Sequence, residues 1–428
     1  MSQSLAISAM AAIATSFSAA AAIAHRRSRP HLQLVARRRA PFSTAASSSS
    51  APSAAAAGFG WTDALRVASD TGLDDESDLS GYFRKVDICN RGMDKKGQFV
   101  EFLVEDQVVG YIHKGFTDHL RDFNDVFSIV SGNNCNSSLE HVTLHSSLKT
   151  QEDRTIAIGN VIKGLGELIP GIRNEETISM YSHKVPQQCV GDGARNSARG
   201  GRVGPNLSFS DMISSFYWGV VACLTIVFNI QLYPVTSSYG TPVYFSLERA
   251  AAPYFGIKAY GVHMNGYIEA DGEKSLWIGK RSDVKQTYPG MLDHLVAGGL
   301  PYGISCKENI IKECEEEAGI PRSMSTNATS VGAISYVDID GFRYKRDVLF
   351  CYDLRLPADF VPNNEDGEVD SFRLIPVRHA GNIIRRTDYF KANCNLVIID
   401  FLFRHGYIKP DYHGYLKLLQ SLRSGDCS

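Results

Sequence analysis

The chain lacks the charge surplus that is typical of proteins that bind nucleic acids. Its 44 Lys and Arg residues stand against 46 Asp and Glu residues, and beyond the N-terminus the two signs are interspersed. A protein that binds phosphate backbones usually carries a basic patch or stripe. The balance therefore favours a small-molecule partner and no nucleic acid.

Paired cysteines are also missing. The nine cysteines include no C-x-x-C pair and no regular spacing, so neither a zinc site nor a disulfide framework is indicated. Reduced thiols are the simpler interpretation. For Cys306 and Cys314 we favour small buried side chains over a thiol nucleophile.

Acidic residues are absent before Asp63, whereas Ala, Ser and clustered Arg are abundant. This pattern is typical of an organelle transit peptide, here residues 1–59, and predicts a location in the chloroplast stroma after its removal. A mitochondrial or secretory signal is the weaker interpretation. Such a segment cannot bury a core.

A long apolar membrane span is not evident either. The uncharged stretch Phe216–Ile230 is shorter than the roughly 20 residues that a spanning helix needs. It follows a Gly/Arg-rich run within residues 176–231, which we interpret as an atypical insertion, such as a translated intron retained in the message. A membrane anchor at this stretch is the alternative.

Residues 60–175 have the pattern of a small α/β domain. Phe99–Val104 and Val108–Ile112 are predicted strands. Apolar residues at three- and four-residue steps predict a helix over Phe116–Phe127.

Residues 232–410 alternate strand and helix patterns. Gly261–Ala270 and Lys274–Gly279 flank an Asp-Gly turn, as do Val331–Ile339 and Tyr344–Leu354, and each pair predicts a hairpin. A strand over Val369–Val377 and a helix over Tyr389–Arg404 follow. The order predicts an α/β/α sandwich on a mixed sheet, with a C-terminal helix or tail at 411–428.

A glycine-rich loop followed by a helix carries the chemistry. Ser305 with Glu308 three residues later predicts a capping box, and Gly319 predicts the C-terminal end, so the helix should cover Cys306–Ala318. Ile311, Cys314 and Ala318 form an apolar stripe that can face the sheet.

Three glutamates share another face of this helix. Glu313, Glu316 and Glu317 fall within an arc of about 100°, and like charges at i,i+4 are unfavourable without a cation. Mg²⁺ or Mn²⁺ is the natural partner of such carboxylates. For an isolated E-x-x-E-E a solvated acidic face would be the simpler interpretation.

The context resembles the Nudix box, G-x5-E-x7-R-E-U-x-E-E-x-G-U. The chain supplies Gly298, Glu313, Cys314, Glu316, Glu317, Gly319 and Ile320 of that pattern. Two positions depart from it, since Ile304 replaces an acid and Lys312 replaces the arginine that orients the glutamates. Glu308 is a possible substitute for the missing acid.

Three further segments, 110–116, 247–256 and 297–305, resemble Nudix hydrolases related to thiamine pyrophosphokinase, which include plant chloroplast enzymes. The resemblance implies hydrolysis of thiamine diphosphate or its oxidised analogues to the monophosphate and phosphate. Nucleotide sugars, dinucleotides or other nucleoside diphosphate derivatives are the alternative substrates, and a non-catalytic ligand-binding module is the alternative class.

Roles for individual residues follow from this resemblance. Glu313 and Glu317 are expected to bind metal, and Glu316 to act as a ligand or as the base, while Lys312 takes the orienting position. The residues expected to contact substrate are Gly298 and Gly299, together with Lys280 and Arg281 at the end of a hairpin strand, for which a plain surface pair is the alternative. Glu368 is a candidate extra acid, with a solvated loop acid as the alternative.

Overall fold

The computed structural model describes residues 58–70, 75–130, 140–166, 168–169, 232–285 and 287–425. All of them belong to one compact unit that covers residues 51–428. The predicted transit peptide, apart from its last two residues, and the predicted insertion with its apolar stretch lie outside the described residues. Within the described ranges, no helix has both the length and the apolar character that crossing a bilayer requires.

The first sheet has four strands in the order β2-β1-β4-β3, and β1 pairs with β4 in parallel. Its strands are β1 (Phe99–Val104), β2 (Gln107–His113), β3 (Phe127–Val130) and β4 (His141–Leu144). Glu105 and Asp106 have φ values of 51° and 63°, which a two-residue hairpin turn requires. Both predicted strands are thus confirmed, and the second is one residue longer at each end than predicted.

The helix predicted over Phe116–Phe127 is wrong in its second half. The helix α3 covers Lys114–Leu120, and the Phe123 carbonyl then accepts hydrogen bonds from the Val126 and Phe127 amides in a turn. Asp and Asn residues at 122, 124 and 125 favour such a turn. The apolar spacing continues because Phe127 starts β3 and points into the same core.

The second sheet is mixed and has seven strands. Its main order is β11-β12-β7-β8-β13, with β10 paired to β7 and β9 to β8; only the β12–β7 pairing is parallel among these described strands. The strands are β7 (Lys258–Ala270), β8 (Glu273–Arg281), β9 (Leu292–His294), β10 (Val296–Gly299), β11 (Thr329–Asp340), β12 (Arg343–Arg355) and β13 (Val369–Pro376). Both predicted hairpins are confirmed, with strands longer than the patterns indicated.

Helices cover both faces of this sheet. The helix α5 (Cys306–Ala318) packs on one face around Val262 and Met264. Five other helices form a layer on the opposite face. That second layer consists of α1 (Trp61–Ser69), α2 (Ser80–Cys89), α7 (Val377–Arg386), α8 (Ala392–Arg404) and α9 (Tyr415–Ser421). A short helix α6 (Arg322–Ser325) follows α5, and α4 (Gln151–Gly164) packs with the first sheet. The α/β/α sandwich predicted from sequence is confirmed.

Two predicted boundaries shift by a few residues. The helix predicted from Tyr389 begins at Ala392, because Phe390 bridges to Leu292 beside β9. The strand predicted to end at Val377 ends at Pro376, and Val377 begins α7.

The core of each sheet includes elements from a distant part of the chain. Helices α1 and α2 join the core of the seven-stranded sheet, although they precede the first sheet in sequence. Conversely, β5 (Leu232–Val235) and β6 (Phe245–Glu248) pack into the core of the first sheet. The division of the chain at residues 60–175, 232–410 and 411–428 stays a proposal. Elements at the start of the first range pack in the core of the seven-stranded sheet, and elements at the start of the second range pack in the core of the first sheet.

Candidate active site

The helix α5 begins and ends where the sequence predicts. Ser305 Oγ accepts a hydrogen bond from the Glu308 amide at 3.2 Å, and Gly319 adopts φ 61° at the C-terminal end. The capping box is only half formed, because the Glu308 carboxylate instead accepts from Arg322 Nη2, at 2.9 Å to each oxygen. Ser305 is therefore the side chain that caps the N-terminus of α5.

The apolar stripe of α5 faces the sheet. Ile311, Cys314 and Ala318 are fully buried. Burial raises the pKa of the Cys314 thiol far above its ordinary value, and burial also raises that of Cys306, whose sulfur lies 3.1 Å from Tyr239 Oη. Both thiols stay protonated near neutral pH, which agrees with their interpretation as packing residues.

The acidic face of α5 brings Glu313 and Glu317 together in a desolvated position. Glu313 is buried and Glu317 is partly exposed, with its Oε2 accepting a hydrogen bond from the Ala297 amide at 2.8 Å. Burial and then Glu313 raise the pKa of Glu317 well above its usual range. Burial also raises the pKa of Glu313, although Lys312 opposes it.

Lys312 compensates only part of this negative charge. Its Nζ lies 2.6 Å from Glu316 Oε2 and 3.5 Å from Glu313 Oε1. Burial lowers the pKa of Lys312, but Glu316 and Glu313 more than offset this, so that the net shift is upward. Among the described residues, no lysine or arginine forms an ion pair with Glu317. The site therefore has an excess of negative charge that a cation would relieve.

Two glycines let side chains approach the loop closely. A Cβ atom on Gly298 would lie 2.3 Å from Glu313 Cδ, and one on Gly299 would lie 2.3 Å from Tyr233 Oη. Asn309 fixes the loop to α5, since its Nδ2 donates to the Gly299 carbonyl at 2.9 Å. The prediction that both glycines contact substrate stays a prediction, while their steric role is evident.

Ile304 occupies the position of the first acid in the Nudix pattern. It packs beside a small apolar cluster of Tyr260, Leu300 and Val348. A carboxylate would be desolvated there, which explains why an apolar residue fits.

The structure does not bring Glu308 to the glutamate cluster. Nine residues separate it from Glu317, which is about 13 Å along a helix axis. Its partner is Arg322. No contact supports Glu308 as a substitute acid.

Glu368 lies within electrostatic range of the cluster. It adds to the raised pKa of Glu317, after burial, Glu313 and Asp293, and to that of Glu313, after burial and the charges of Lys312 and Glu316. Lys285 Nζ lies 2.5 Å from its Oε1, and the Ser282 amide donates to its carbonyl at 2.9 Å. The loop after β8 thus positions the acid that the sequence suggested as an extra ligand.

The two predicted cations at the end of β8 have different surroundings. Lys280 lies 3.9 Å from Asp283. Arg281 uses all three of its nitrogens, donating to Asp293 Oδ2 at 3.0 Å and to the carbonyls of Thr287 and Tyr288. The contacts of Arg281 indicate a role in holding this loop, and its predicted role in substrate binding has no contact in support.

Asp293 is a second buried carboxylate, and it lies in a group of charged and polar side chains that sequence reasoning missed. Arg281 and Lys391 lie 3.0 and 3.2 Å from its Oδ2, and Cys394 Sγ donates to Oδ1 at 2.5 Å. Burial alone would raise the pKa of Asp293, but Lys391, His294 and Arg281 together hold it well below its usual range. No motif around residue 293 could have indicated this, since its partners come from β8 and from residues 391–394.

Ligand atoms of Asp293, His294 and Cys394 lie within 4.8 Å of one another, which is close enough for a metal ion. The two cations on the carboxylate already supply the positive charge, and the pKa of the Cys394 thiol is raised well above its usual range by burial and then Asp293. His294 is neutral, because burial lowers its pKa to about 4. This cluster is an internal ion-pair network.

Comparison with known proteins agrees with the geometry of α5 and its loop. Residues 260–393 match the NUDIX domain, and residues 81–187 and 223–259 match a domain of unknown function, DUF4743. "Nudix hydrolase 20, chloroplastic" of Arabidopsis thaliana is 53% identical over 355 residues, which cover 82% of this chain and 80% of that protein. The chain belongs to the Nudix hydrolase family.

Two further relatives share the resemblance. "Nudix hydrolase 24, chloroplastic" of Arabidopsis thaliana is 51% identical, again over 82% of this chain and 80% of the relative. An uncharacterised protein of Saccharomyces cerevisiae is 40% identical over 191 residues, 41% of this chain and 56% of that one. The chain is thus a Nudix hydrolase, an enzyme family that acts on diphosphate-containing small molecules with divalent metal ions.

Proposed function

We propose that this Nudix hydrolase cleaves thiamine diphosphate or its oxidised analogues to the monophosphate and phosphate, with Mg²⁺ or Mn²⁺ as the metal. The observation that carries the proposal is the pair of desolvated carboxylates, Glu313 and Glu317, beside a glycine loop. Glu317 has no ion-pair partner of its own among the described residues, and its pKa is raised by burial and then Glu313. A cation from solution would resolve this repulsion.

The donor set fits a hard divalent cation. Oxygen atoms of Glu313, Glu317 and Glu316 are the available ligands, while the Cys314 sulfur on the same helix is buried in the core. Carboxylate-only sites suit Mg²⁺ and Mn²⁺, and thiolate ligands would be expected for softer metals. Glu368 is proposed as an additional acid on the facing loop.

The bound metal would neutralise charge that develops on the phosphate oxygens and would lower the pKa of an attacking water. The chain's own residues hold the geometry. Lys312 orients the Glu316 carboxylate at 2.6 Å, and the Ala297 amide orients Glu317 at 2.8 Å. We propose Glu316 as a ligand or as the acceptor of the water proton.

The organic half of the substrate is argued from the resemblance of segments 110–116, 247–256 and 297–305 to thiamine-related Nudix hydrolases. Nucleoside diphosphate derivatives such as ADP-ribose are the competing substrate class.

The proposal is tested by measuring phosphate release from thiamine diphosphate and oxothiamine diphosphate, and AMP formation from ADP-ribose, with Mg²⁺ or Mn²⁺. We expect the highest kcat/KM with a thiamine diphosphate. A preference for ADP-ribose would transfer the same chemistry to a nucleotide substrate, and the absence of metal-dependent hydrolysis of any diphosphate would contradict the assignment of the site.

We also propose a chloroplast stromal location, which the names of the two Arabidopsis relatives support. The acid-free N-terminal segment is the proposed signal. Import of the full chain into isolated chloroplasts, with a shorter protease-protected product, is the expected outcome. Import into mitochondria alone would contradict it.

A further inference from the structure

A segment from outside the NUDIX match lies against the glycine loop of the site. The Tyr302 amide donates a hydrogen bond to the Leu232 carbonyl at 3.1 Å. Next to Leu232, Tyr233 places its hydroxyl against the backbone of Gly299, where a Cβ atom would be only 2.3 Å away. Strand β5 is therefore in direct contact with the loop that precedes α5.

This segment positions Arg249. The residue directly follows β6, which pairs with β5 so that Leu247 lies opposite Tyr233. The guanidinium carbon of Arg249 lies 6.0 Å from the centroid of the Tyr233 ring. A guanidinium on a ring face keeps its N–H donors at its edge, where they can bind oxygen atoms.

Arg249 and Glu313 both affect the pKa of Tyr233, and Glu368 affects the pKa of Arg249. Arg249 has its pKa raised by Tyr233 first, with Asp347 and Glu368 also contributing. Tyr233 has its pKa raised by burial, which Arg249 opposes and to which Glu313 adds. Tyr233 is thus within electrostatic range of both Arg249 and Glu313, and Arg249 is within range of Glu368.

The Arg249 side chain is also accessible from solution. It is exposed, although it acts electrostatically on groups from β7, β12 and the loop before β13. A diphosphate carries negative charge beyond what metal ions alone neutralise, and arginine binds phosphate oxygens with two parallel hydrogen bonds.

We propose that Arg249 binds the diphosphate group of the substrate next to Glu313 and Glu317, so that a residue outside the NUDIX match completes the active site. This inference rests on the proposed diphosphate chemistry. It does not depend on which organic group the diphosphate carries.

The test uses the full chain and methylenediphosphonate, a diphosphate analogue that cannot be hydrolysed at the bridging position. Its affinity is measured by calorimetry with saturating Mg²⁺ for the wild type, Arg249→Gln, Arg249→Lys and Arg121→Gln. Arg121 is the matched control, because it is an exposed arginine of the first-sheet region with a local partner, Asp118, at 3.2 Å.

We expect Arg249→Gln to weaken binding about 10- to 100-fold, the range for a charged hydrogen-bond pair. Arg249→Lys should show a smaller loss of about 3- to 10-fold, since it keeps the charge but not the planar fork. Arg121→Gln should bind as the wild type does. If Arg249→Gln does not fold, the comparison of Arg249→Lys with the wild type decides.

Two further readouts separate a binding role from a structural one. The melting temperature and the Mg²⁺ affinity without analogue should be unchanged in Arg249→Lys and Arg249→Gln. Wild-type affinity in the Arg249 variants, equal losses of Mg²⁺ and analogue affinity, or no binding of the analogue to the wild type would overturn the inference. If the wild type binds the analogue through Arg249 but does not hydrolyse thiamine diphosphate, the proposed substrate fails and the inference stands.

Discussion

Glu317 and Asp293 are two carboxylates of the same sheet region with opposite electrostatic surroundings. Asp293 has Arg281 and Lys391 within 3.2 Å, and these cations together with His294 hold its pKa far below its usual range in spite of burial. Glu317 has the Ala297 amide and another carboxylate, Glu313, nearby, and its pKa is raised by burial first. The chain neutralises the first acid itself, and we propose that a cation from solution neutralises the second.

The largest expected effect is on activity, and it comes from Glu317. Glu317→Gln should lower kcat about a thousandfold, because a bound metal ion contributes several kcal/mol to the transition state. The metal-free variant should be at least as stable as the wild type, since the mutation removes a repulsion. Glu315→Gln, an exposed neighbour on α5, is the control and should change neither quantity.

Phosphate release and thermal unfolding of both variants check this contrast. Comparable turnover in Glu317→Gln and Glu315→Gln would show that Glu317 does not serve the reaction.

Asp293→Asn should mainly lower the free energy of unfolding, whereas Glu317→Gln should mainly lower kcat. The substitution leaves Lys391 and Arg281 without their buried counter-charge, which costs about 3–5 kcal/mol. Denaturant unfolding of the variant measures the loss, with exposed Asp411→Asn as the control. If the two variants are equally stable, the network around Asp293 does not stabilise the fold.

Gly298→Ala tests whether the position of Glu313 matters for turnover. The new Cβ would lie 2.3 Å from Glu313 Cδ and would displace the carboxylate. A displacement of about 1 Å at a reacting centre can lower the rate about a hundredfold.

Gly159→Ala in α4 is the matched control. Its Cβ meets no atom within 4 Å, and alanine in a helix is more favourable than glycine by up to about 1 kcal/mol. Equal kcat/KM values for the two alanine variants would refute the steric role of Gly298.

The two acids should also respond oppositely to pH. Folded metal-free protein holds the Glu317 proton more tightly than the unfolded chain, so this group makes the free energy of unfolding fall as pH rises above about 4.5 towards its raised pKa. The stabilisation from Asp293 is present above its unfolded value of 3.8 and is lost as pH falls below that value.

Melting temperatures between pH 4 and 8, with EDTA or with Mg²⁺, measure the first effect. Mg²⁺ and Glu317→Gln should each reduce the decline. A decline that neither change affects would assign it to other groups.

The smallest effect is expected at Lys312. Its ion pair with Glu316 is partly exposed, and such pairs contribute about 0.2–1 kcal/mol. Lys312→Arg, which restores the Nudix pattern, should therefore change kcat/KM less than fivefold in either direction. A change as large as that in Gly298→Ala would show that the choice of cation is critical.

Local signals made part of this structure predictable. The bounds of α5 follow from Ser305, the apolar stripe and Gly319. The hairpins follow from Asp-Gly turns, in which Asp271, Gly272 and Gly341 have positive φ values. These features depend on residues close in sequence. The proposed metal-binding pattern could be read from the sequence for the same reason.

Contacts between distant segments were not predictable. Tyr233 packs on Gly299, which lies 66 positions later in the chain, and Asp293 contacts Lys391 beside the bridge between Leu292 and Phe390. Glu308 appeared suited to a capping box, but Arg322 from the next helix competes for its carboxylate. These contacts depend on residues that are close in space but distant in sequence, and no local sequence pattern indicates them.

The most direct test of the central claim is a titration of Mn²⁺ into the metal-free wild type and Glu317→Gln in the presence of methylenediphosphonate, followed by electron paramagnetic resonance. We expect the wild type to bind Mn²⁺ and Glu317→Gln to bind it at least tenfold more weakly. Equal Mn²⁺ affinity in the two proteins would contradict the assignment of Glu317 as a metal ligand.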